Sequence, residues 1–156
     1  MRSWSSIGVA DVGEPQETHF AFDFVPLQSP DQTRIFPFYE NLKKGRLTTT
    51  RCKRCGATHW QPRVVCPDCN GDEMDWVDLP ANGKLFAFTA VYAGAPLGME
   101  RDVPFVVAVV ELDGAPMKVV ARIDDAKYED LKIGDPVRLK VHELADGRVW
   151  FRFVPT

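Results

Sequence analysis

The sequence predicts a mainly β protein, in which an N-terminal arm and a short helix lead into a small metal-clasped module and then a five-stranded barrel. Three observations carry this reading. All four cysteines fall in two matched pairs, Cys52/Cys55 and Cys66/Cys69, each with two residues between the sulfurs. From Gly83 onward, apolar and polar residues alternate with the period of half-buried strands. A single short helical pattern interrupts those strands, between the third and the fourth. The resulting divisions are an arm over 1–33, a helix over 34–46, the metal module over 47–80 and the barrel over 81–156.

The composition is that of an ordinary soluble globular protein, 45% hydrophobic and 26% charged. A net charge of −3 argues against a dedicated nucleic-acid binder, which is normally basic. That average hides a basic stretch: Lys43, Lys44, Arg46, Arg51, Lys53, Arg54 and Arg63 occur with no acidic residue among them. No apolar run approaches the roughly 18 residues of a membrane span, and the first residues show no apolar signal core. A cytoplasmic protein with reduced thiols is expected.

In the arm, Gly8, Gly13, Pro15, Pro26 and Pro30 break up any periodicity, except where the aromatic alternation of residues 19–25 predicts a short strand; a clamp of the arm on the body is the plain reading, with a disordered tail and an arm laid across a partner subunit as the alternatives. Pro37 to Gly45 reads as the helix. Proline suits a first turn, Lys43 and Lys44 complement the C-terminal end of the dipole, and Gly45 stops it. Phe38, Tyr39 and Leu42 share one face, which must pack on the ribbon or the barrel because so short a helix is not stable alone.

The metal module reads strand, knuckle, strand, knuckle, strand: Leu47 to Arg51, Cys52–Cys55, His59 to Pro62, Cys66–Cys69, and Met74 to Leu79. This is the order of a zinc ribbon. Gly56 and Asn70, each directly after a pair, tolerate the left-handed backbone that such a knuckle requires. Four thiolates suit a structural zinc at about 2.3 Å per bond, with no open position for water or substrate. A rubredoxin-like iron and a disulfide framework are the rival readings. Lys53, Arg54 and Arg51 would offset the negative charge of a tetrathiolate, and His59 stands by as a spare ligand that a filled shell does not need.

Ala81-Asn82-Gly83-Lys84 carries a turn signal, followed by strands over Leu85 to Ala93, Phe105 to Leu112, Met117 to Ile123, Val137 to Leu144 and Arg148 to Val154. The helix between the third and fourth covers Asp125 to Leu131, its acidic residues serving as caps. Five strands with that insertion describe an OB-fold. Val119, Ala121 and Ile123 oppose Lys118, Val120 and Arg122; Val137, Leu139 and Val141 oppose Arg138, Lys140 and His142, which makes His142 a surface residue. The run Phe105 to Val110 does not alternate, so its outward face is also apolar and requires a cover: the chain's own ribbon or arm, or another subunit.

No catalytic constellation is present in the sequence. There is no free cysteine beyond the two pairs, no Gly-x-Ser-x-Gly elbow, no phosphate loop, and His19, His59 and His142 lie in unrelated segments. A binding or scaffolding role follows. Phe86, Phe88 and Tyr92 beside a basic ribbon could stack single-stranded nucleic acid; the same surfaces could instead hold a nucleotide thioester or an enzyme that uses one, and the acidic total favours the latter.

Taken together, Pro37-Phe38-Tyr39-Glu40, Lys44-Gly45-Arg46-Leu47, Arg51-Cys52-Lys53-Arg54-Cys55-Gly56, Gln61-Pro62-Arg63, Cys66-Pro67-Asp68-Cys69, Trp76, Gly83 to Thr89, Pro104 to Leu112 and Ile133 to Val137 resemble the rubredoxin-like zinc-ribbon plus OB-fold family, once a domain of unknown function and now described as acyl-CoA-associated. The resemblance covers about 34–154; Asn70 stands where the family often has Gly. It implies a non-catalytic subunit of a thiolase-fold enzyme, a thiolase, acyltransferase or thiolase-like aldolase, sharing acyl-CoA with its partner. Lys43, Lys44, Arg46 and Arg63 are then the candidates to lie near the CoA phosphates or an acidic partner surface.

Overall fold

The computed structural model describes residues 26–96 and 99–156, so the strand expected over 19–25 lies outside the described residues. The elements are α1 (Phe36–Lys43), β1 (Thr48–Cys52), β2 (Thr58–His59), β3 (Met74–Asp78), β4 (Asn82–Val91), β5 (Phe105–Leu112), β6 (Lys118–Ile123), β7 (Pro136–Glu143) and β8 (Val149–Pro155). Strands β2-β1-β3 form an antiparallel ribbon, and β4-β5-β6-β8-β7 close into a barrel. This is the expected mainly β architecture, with a ribbon followed by a five-stranded OB-type barrel.

Helix α1 starts with a proline in its first turn and ends where Gly45, at φ +75°, turns the chain back. Gly45 N–H donates to the Leu42 carbonyl at 2.7 Å and Arg46 N–H to that of Asn41 at 2.9 Å, so the last turn is satisfied locally. Its apolar face, Phe38, Tyr39 and Leu42, is at most 3% exposed. At about 2 kcal/mol per buried large side chain, this face supplies what eight residues of helix cannot supply alone. The helix contacts both β1 and β8, so one element packs on ribbon and barrel together.

Trp60, just after β2, completes that junction. Its ring lies 5.2 Å from Phe151 of β8 and 6.0 Å from Phe38, both edge-on. Edge-to-face pairs of this kind add about 0.5–1.5 kcal/mol beyond their burial. Phe38, Leu42 and Phe151 belong to one continuous core with Leu85, Val110, Val119 and Phe153 of the barrel.

Three expectations are corrected, two of them in the elements and the third, at His142, in a side chain. Asn82-Gly83 is not a turn but the start of β4, where Gly83 pairs with both Leu112 and Val137. A Cβ at Gly83 would sit 2.8 Å from Val110 Cγ1 and closer still to the Glu111 carbonyl oxygen. Glycine is required by close strand approach, the other use of a flexible residue in a sheet. The helix expected over Asp125 to Leu131 shrinks to a 3-10 turn, Tyr128–Asp130, with no side-chain cap. Its acidic neighbours are engaged elsewhere: Asp124 accepts two bonds from Arg152 Nη1 at 3.1 Å and lies 3.3 Å from Arg122 Nε, while Asp125 takes Lys140 at 2.7 Å.

Alternation holds in β6, where Val119, Ala121 and Ile123 are buried. In β7 it fades after Val137, and His142 is half-buried, not a surface residue. Burial lowers its pKa below the ordinary value of 6.5, with Arg152 pushing the same way and Asp124 opposing. In β5, Val106, Ala108 and Val110 point into the core, and Val107 and Val109 occupy the outer face as expected.

Candidate metal centre

Each cysteine pair sits on a knuckle closed by the backbone. Gly56 N–H donates to the Cys52 carbonyl and Asn70 N–H to that of Cys66, both at 2.9 Å. Gly56 at φ +76° and Asn70 at φ +56° take the left-handed conformation that their residue types allow. The knuckles are also anchored outward: Cys52 N–H donates to Ala57 and Cys66 N–H to Gly71, at 2.9 and 2.8 Å. A Cβ at Gly71 would approach Cys69 Sγ to 3.3 Å and Cys52 Sγ to 3.4 Å, so a bare backbone lets the sulfurs gather.

All four sulfurs lie within 4.8 Å of one another, with Cys52–Cys69 at 3.6 Å and Cys55–Cys66 at 3.5 Å. Sulfurs on the corners of a tetrahedron with bonds of about 2.3 Å are about 3.8 Å apart; disulfide sulfurs are about 2.05 Å apart. The set therefore fits a four-coordinate metal, and the cysteines are free thiols. Cys52 and Cys66 are buried, Cys55 is exposed. The backbone N–H of Cys55 brings the Cys52 thiol down to about 7 against the opposing effect of burial, whereas, against the backbone N–H of Ala57, the crowding sulfurs of Cys66 and Cys69 push the Cys55 thiol up to about 12, and Cys69 is also raised.

His59 lies beside this shell. Its Nε2 is 3.2 Å from the Asp68 carboxylate but buried without a hydrogen-bond partner among the described residues, and a ring nitrogen lies within 4.8 Å of Cys66 Sγ. Around the site, Arg54 donates to the Cys69 carbonyl at 3.3 Å, whereas Lys53 lies 3.5 Å from Asp75 and 3.9 Å from Glu73. Arg51 Nε donates to Thr58 Oγ1 at 3.4 Å.

The four basic candidates are distributed over two segments. Lys43, Lys44 and Arg46 occupy the C-terminal end of α1 and the residues after it, while Arg63 is in a loop that Thr50 holds by bonds to both its N–H and its carbonyl, at 2.7 and 2.9 Å. Lys43 pairs with Glu40 at 3.1 Å. Arg46 grips Asp78 with Nε and Nη2, each at 2.9 Å, and this contact holds the Asp78 carboxyl below the usual carboxylate range. Among the described residues, the side chains of Lys44 and Arg63 have no ion pair.

The aromatics considered for base stacking do not share a face. Phe86 is on the outer side under Lys118, whose Nζ is 4.3 Å from the ring centre; Phe88 packs against the core and Tyr128. Tyr92 instead lines an open cleft of about 550 Å³ with Phe105, Arg122, Asp124, Tyr128 and Arg152. Sequence reasoning missed the ion network at its base. The only signal was an acidic pair, Asp124-Asp125, in a position where no long helix needed capping.

A closed four-sulfur ribbon joined to an OB barrel defines a class of zinc-ribbon/OB proteins. Residues 40–75 match the model described as the ChsH2 rubredoxin-like zinc ribbon domain, and 76–142 match the ChsH2 C-terminal OB-fold domain. The chain belongs to this ChsH2-type, DUF35 family. It is 30% identical over 127 residues to the benzoylsuccinyl-CoA thiolase subunit BbsA of Thauera aromatica, covering 79% of this chain and 85% of that one. It is 34% identical over 89 residues to a DUF35 domain-containing scaffold protein of Methanocaldococcus jannaschii, covering 56% of this chain and 62% of that relative. Among solved structures, the Ltp2-ChsH2(DUF35) aldolase superposes with a TM-score of 0.64 at 26% identity, over 76% of this chain and 91% of that one. Among the described residues, no helix is long and apolar enough to cross a membrane.

Proposed function

We propose that this chain is a non-catalytic accessory subunit of a thiolase-fold enzyme, a thiolase, acyltransferase or thiolase-like aldolase, and that it supports conversion of an acyl-CoA whose chemistry the partner performs. The observation that carries the reading is the pairing of a sealed metal site with a rigid junction. Four sulfurs leave the metal no position for substrate, while Phe38, Trp60 and Phe151 fix the ribbon against the barrel. That is the build of a docking body. The relatives named as a thiolase subunit, a scaffold protein and an aldolase component support the class of partner.

In this reading the metal is zinc, and its contribution is structural. Lys43, Lys44, Arg46 and Arg63 face the CoA phosphates or an acidic surface of the partner. Lys44 and Arg63 are the first to test, since carboxylates of this chain already engage the other two. The decisive experiment is co-expression with a thiolase-like gene found beside this one. Co-purification, and loss of activity or solubility when this chain is omitted, is the expected result. A partner that is soluble and fully active alone, and never co-purifies, refutes it.

A further inference from the structure

On the outer face of β4-β5-β6 the Lys118 ammonium lies over the Phe86 ring, and no further element covers the face among the described residues. Val109 stands between Ala87 and Val120 in register, with Val107 beside it and Phe86 at the β4 irregularity. Val120 is 60% exposed and Phe86 52%. Contiguous apolar surface of this kind is normally occupied by something.

The described chain begins close to that face. Gln28 Nε2 donates to the Val149 carbonyl at 2.6 Å, and Val149 N–H donates to Gln28 Oε1 at 2.8 Å. One side-chain amide thus takes both polar groups of a residue on β8. Both groups point away from β7, toward the edge along which β6 approaches to make its single parallel pair, Ile123 with Phe153. Val149 is four residues before Phe153 and so lies level with the first half of β6, the part that carries Val120. Gln28 is therefore pinned in the β6-β8 seam, one strand from the exposed face.

From there the sequence runs back through Phe24, Phe22 and Phe20. An extended chain covers at most about 3.3–3.6 Å per residue, so Phe24 is within about 14 Å of Gln28 and Phe20 within about 28 Å. Three strands spaced by about 4.8 Å make the face about 10 Å across. Residues two apart in an extended segment point the same way. We propose that Phe20, Phe22 and Phe24 of this chain's own arm lie across the outer face of β4-β5-β6, over Phe86, Val107, Val109 and Val120, with Gln28 as the anchor that aims the arm there. Ala21 and Asp23 then face water. The interaction is intramolecular and independent of any thiolase-like partner.

The test uses the isolated full chain with a benzophenone amino acid in place of Phe22. Irradiation and peptide mass spectrometry are expected to give crosslinks within one chain to peptides of β4, β5 or β6. Val120→Asp is expected to lower their yield at least tenfold. Val120 lies outside the barrel core, so a retained cooperative unfolding transition and an unchanged far-ultraviolet circular dichroism spectrum confirm that the variant folds. Removal of residues 1–25 is expected to raise the fluorescence of an apolar dye several-fold, and Val120→Asp in the shortened chain to reverse it. Crosslinks between two chains would make a second copy the occupant and overturn the proposal. So would crosslinks to another region, a yield indifferent to Val120→Asp, or no crosslink in the isolated chain.

Discussion

Arg152 on β8 and Asp124 at the end of β6 meet with both carboxylate oxygens 3.1 Å from Nη1, at side-chain exposures of 13% and 12%. They flank the one parallel pair that closes the barrel, so an ion pair reinforces its thinnest seam. Removing one partner of a shielded pair leaves the other charge uncompensated and costs more than the pair contributes. Asp124→Ala should destabilise by about 2–4 kcal/mol, a figure kept below that for fully buried pairs by the remaining exposure. Lys140, 38% exposed and 3.7 Å from Asp124, is the contrast. Lys140→Ala should cost less than about 1 kcal/mol. Urea unfolding midpoints at unchanged m-value separate the two.

His142 sets a pH dependence. Burial depresses its pKa in the folded chain, so below the ordinary value of 6.5 the unfolded chain takes up the proton first. Its contribution to stability is intact above that pH and is lost as pH falls through the folded value. His142→Gln should therefore behave differently with pH: the stability difference between the two proteins is constant above the ordinary value and shifts in favour of the variant below it. Unfolding midpoints across that range decide this, and a pH-independent difference would sink the argument.

Gly83 and Gly45 should both resist alanine, for different reasons. At Gly83 the added methyl meets Val110 and the Glu111 carbonyl, so strands must separate, at a cost of about 1–3 kcal/mol or more. At Gly45 there is open space, and only the left-handed backbone objects, at about 1 kcal/mol. Amide exchange distinguishes them. Gly83→Ala should loosen the β4-β5 ladder, whereas Gly45→Ala should act on the end of α1.

Loss of the metal should unmake the ribbon. β1 to β3 pair over few residues, and β2 is only two residues long, so its sheet cannot stand on backbone bonds alone. Chelation, or Cys66→Ser, should abolish amide protection in β1–β3 and partner binding together. Cobalt substitution in the parent chain should give the visible spectrum of a tetrahedral tetrathiolate, and Cys66→Ser should lose it. A metal-free chain that keeps both the ribbon and the partner would refute a structural metal.

These outcomes track what residue patterns express. The two Cys-x-x-Cys pairs wrote out the metal site because coordination fixes spacing, and β6 was legible because one face is buried along its whole length. β7 was less so: Leu139, Val141 and His142 are all half-buried, since a small barrel closes around them and leaves no clean polar side. Asn82-Gly83 misled because a glycine needed for strand approach looks the same as one needed for a turn. Asp124 misled because its partners, Arg122, Lys140 and Arg152, are brought together only by barrel closure.

Trp60 belongs to that last kind and carries the greatest consequence. Its ring joins the ribbon to α1 and β8 through Phe38 and Phe151. Trp60→Ala opens a gap against Phe38 and Phe151, between the modules, while leaving the four cysteines and the strand pairing of the barrel in place. It should cost about 2–3 kcal/mol, less than the loss of a fully buried tryptophan because Trp60 is half-buried. If a fixed ribbon angle is what the partner reads, affinity must fall by more than stability explains. Gly83→Ala is the matched control, comparably destabilised but with the junction intact. NMR relaxation should show β1–β3 of Trp60→Ala tumbling more independently of β4–β8, and its partner affinity should drop at least tenfold below that of the control. Equal affinity in the two variants would separate docking from the junction and leave the ribbon or the barrel as an independent binding surface.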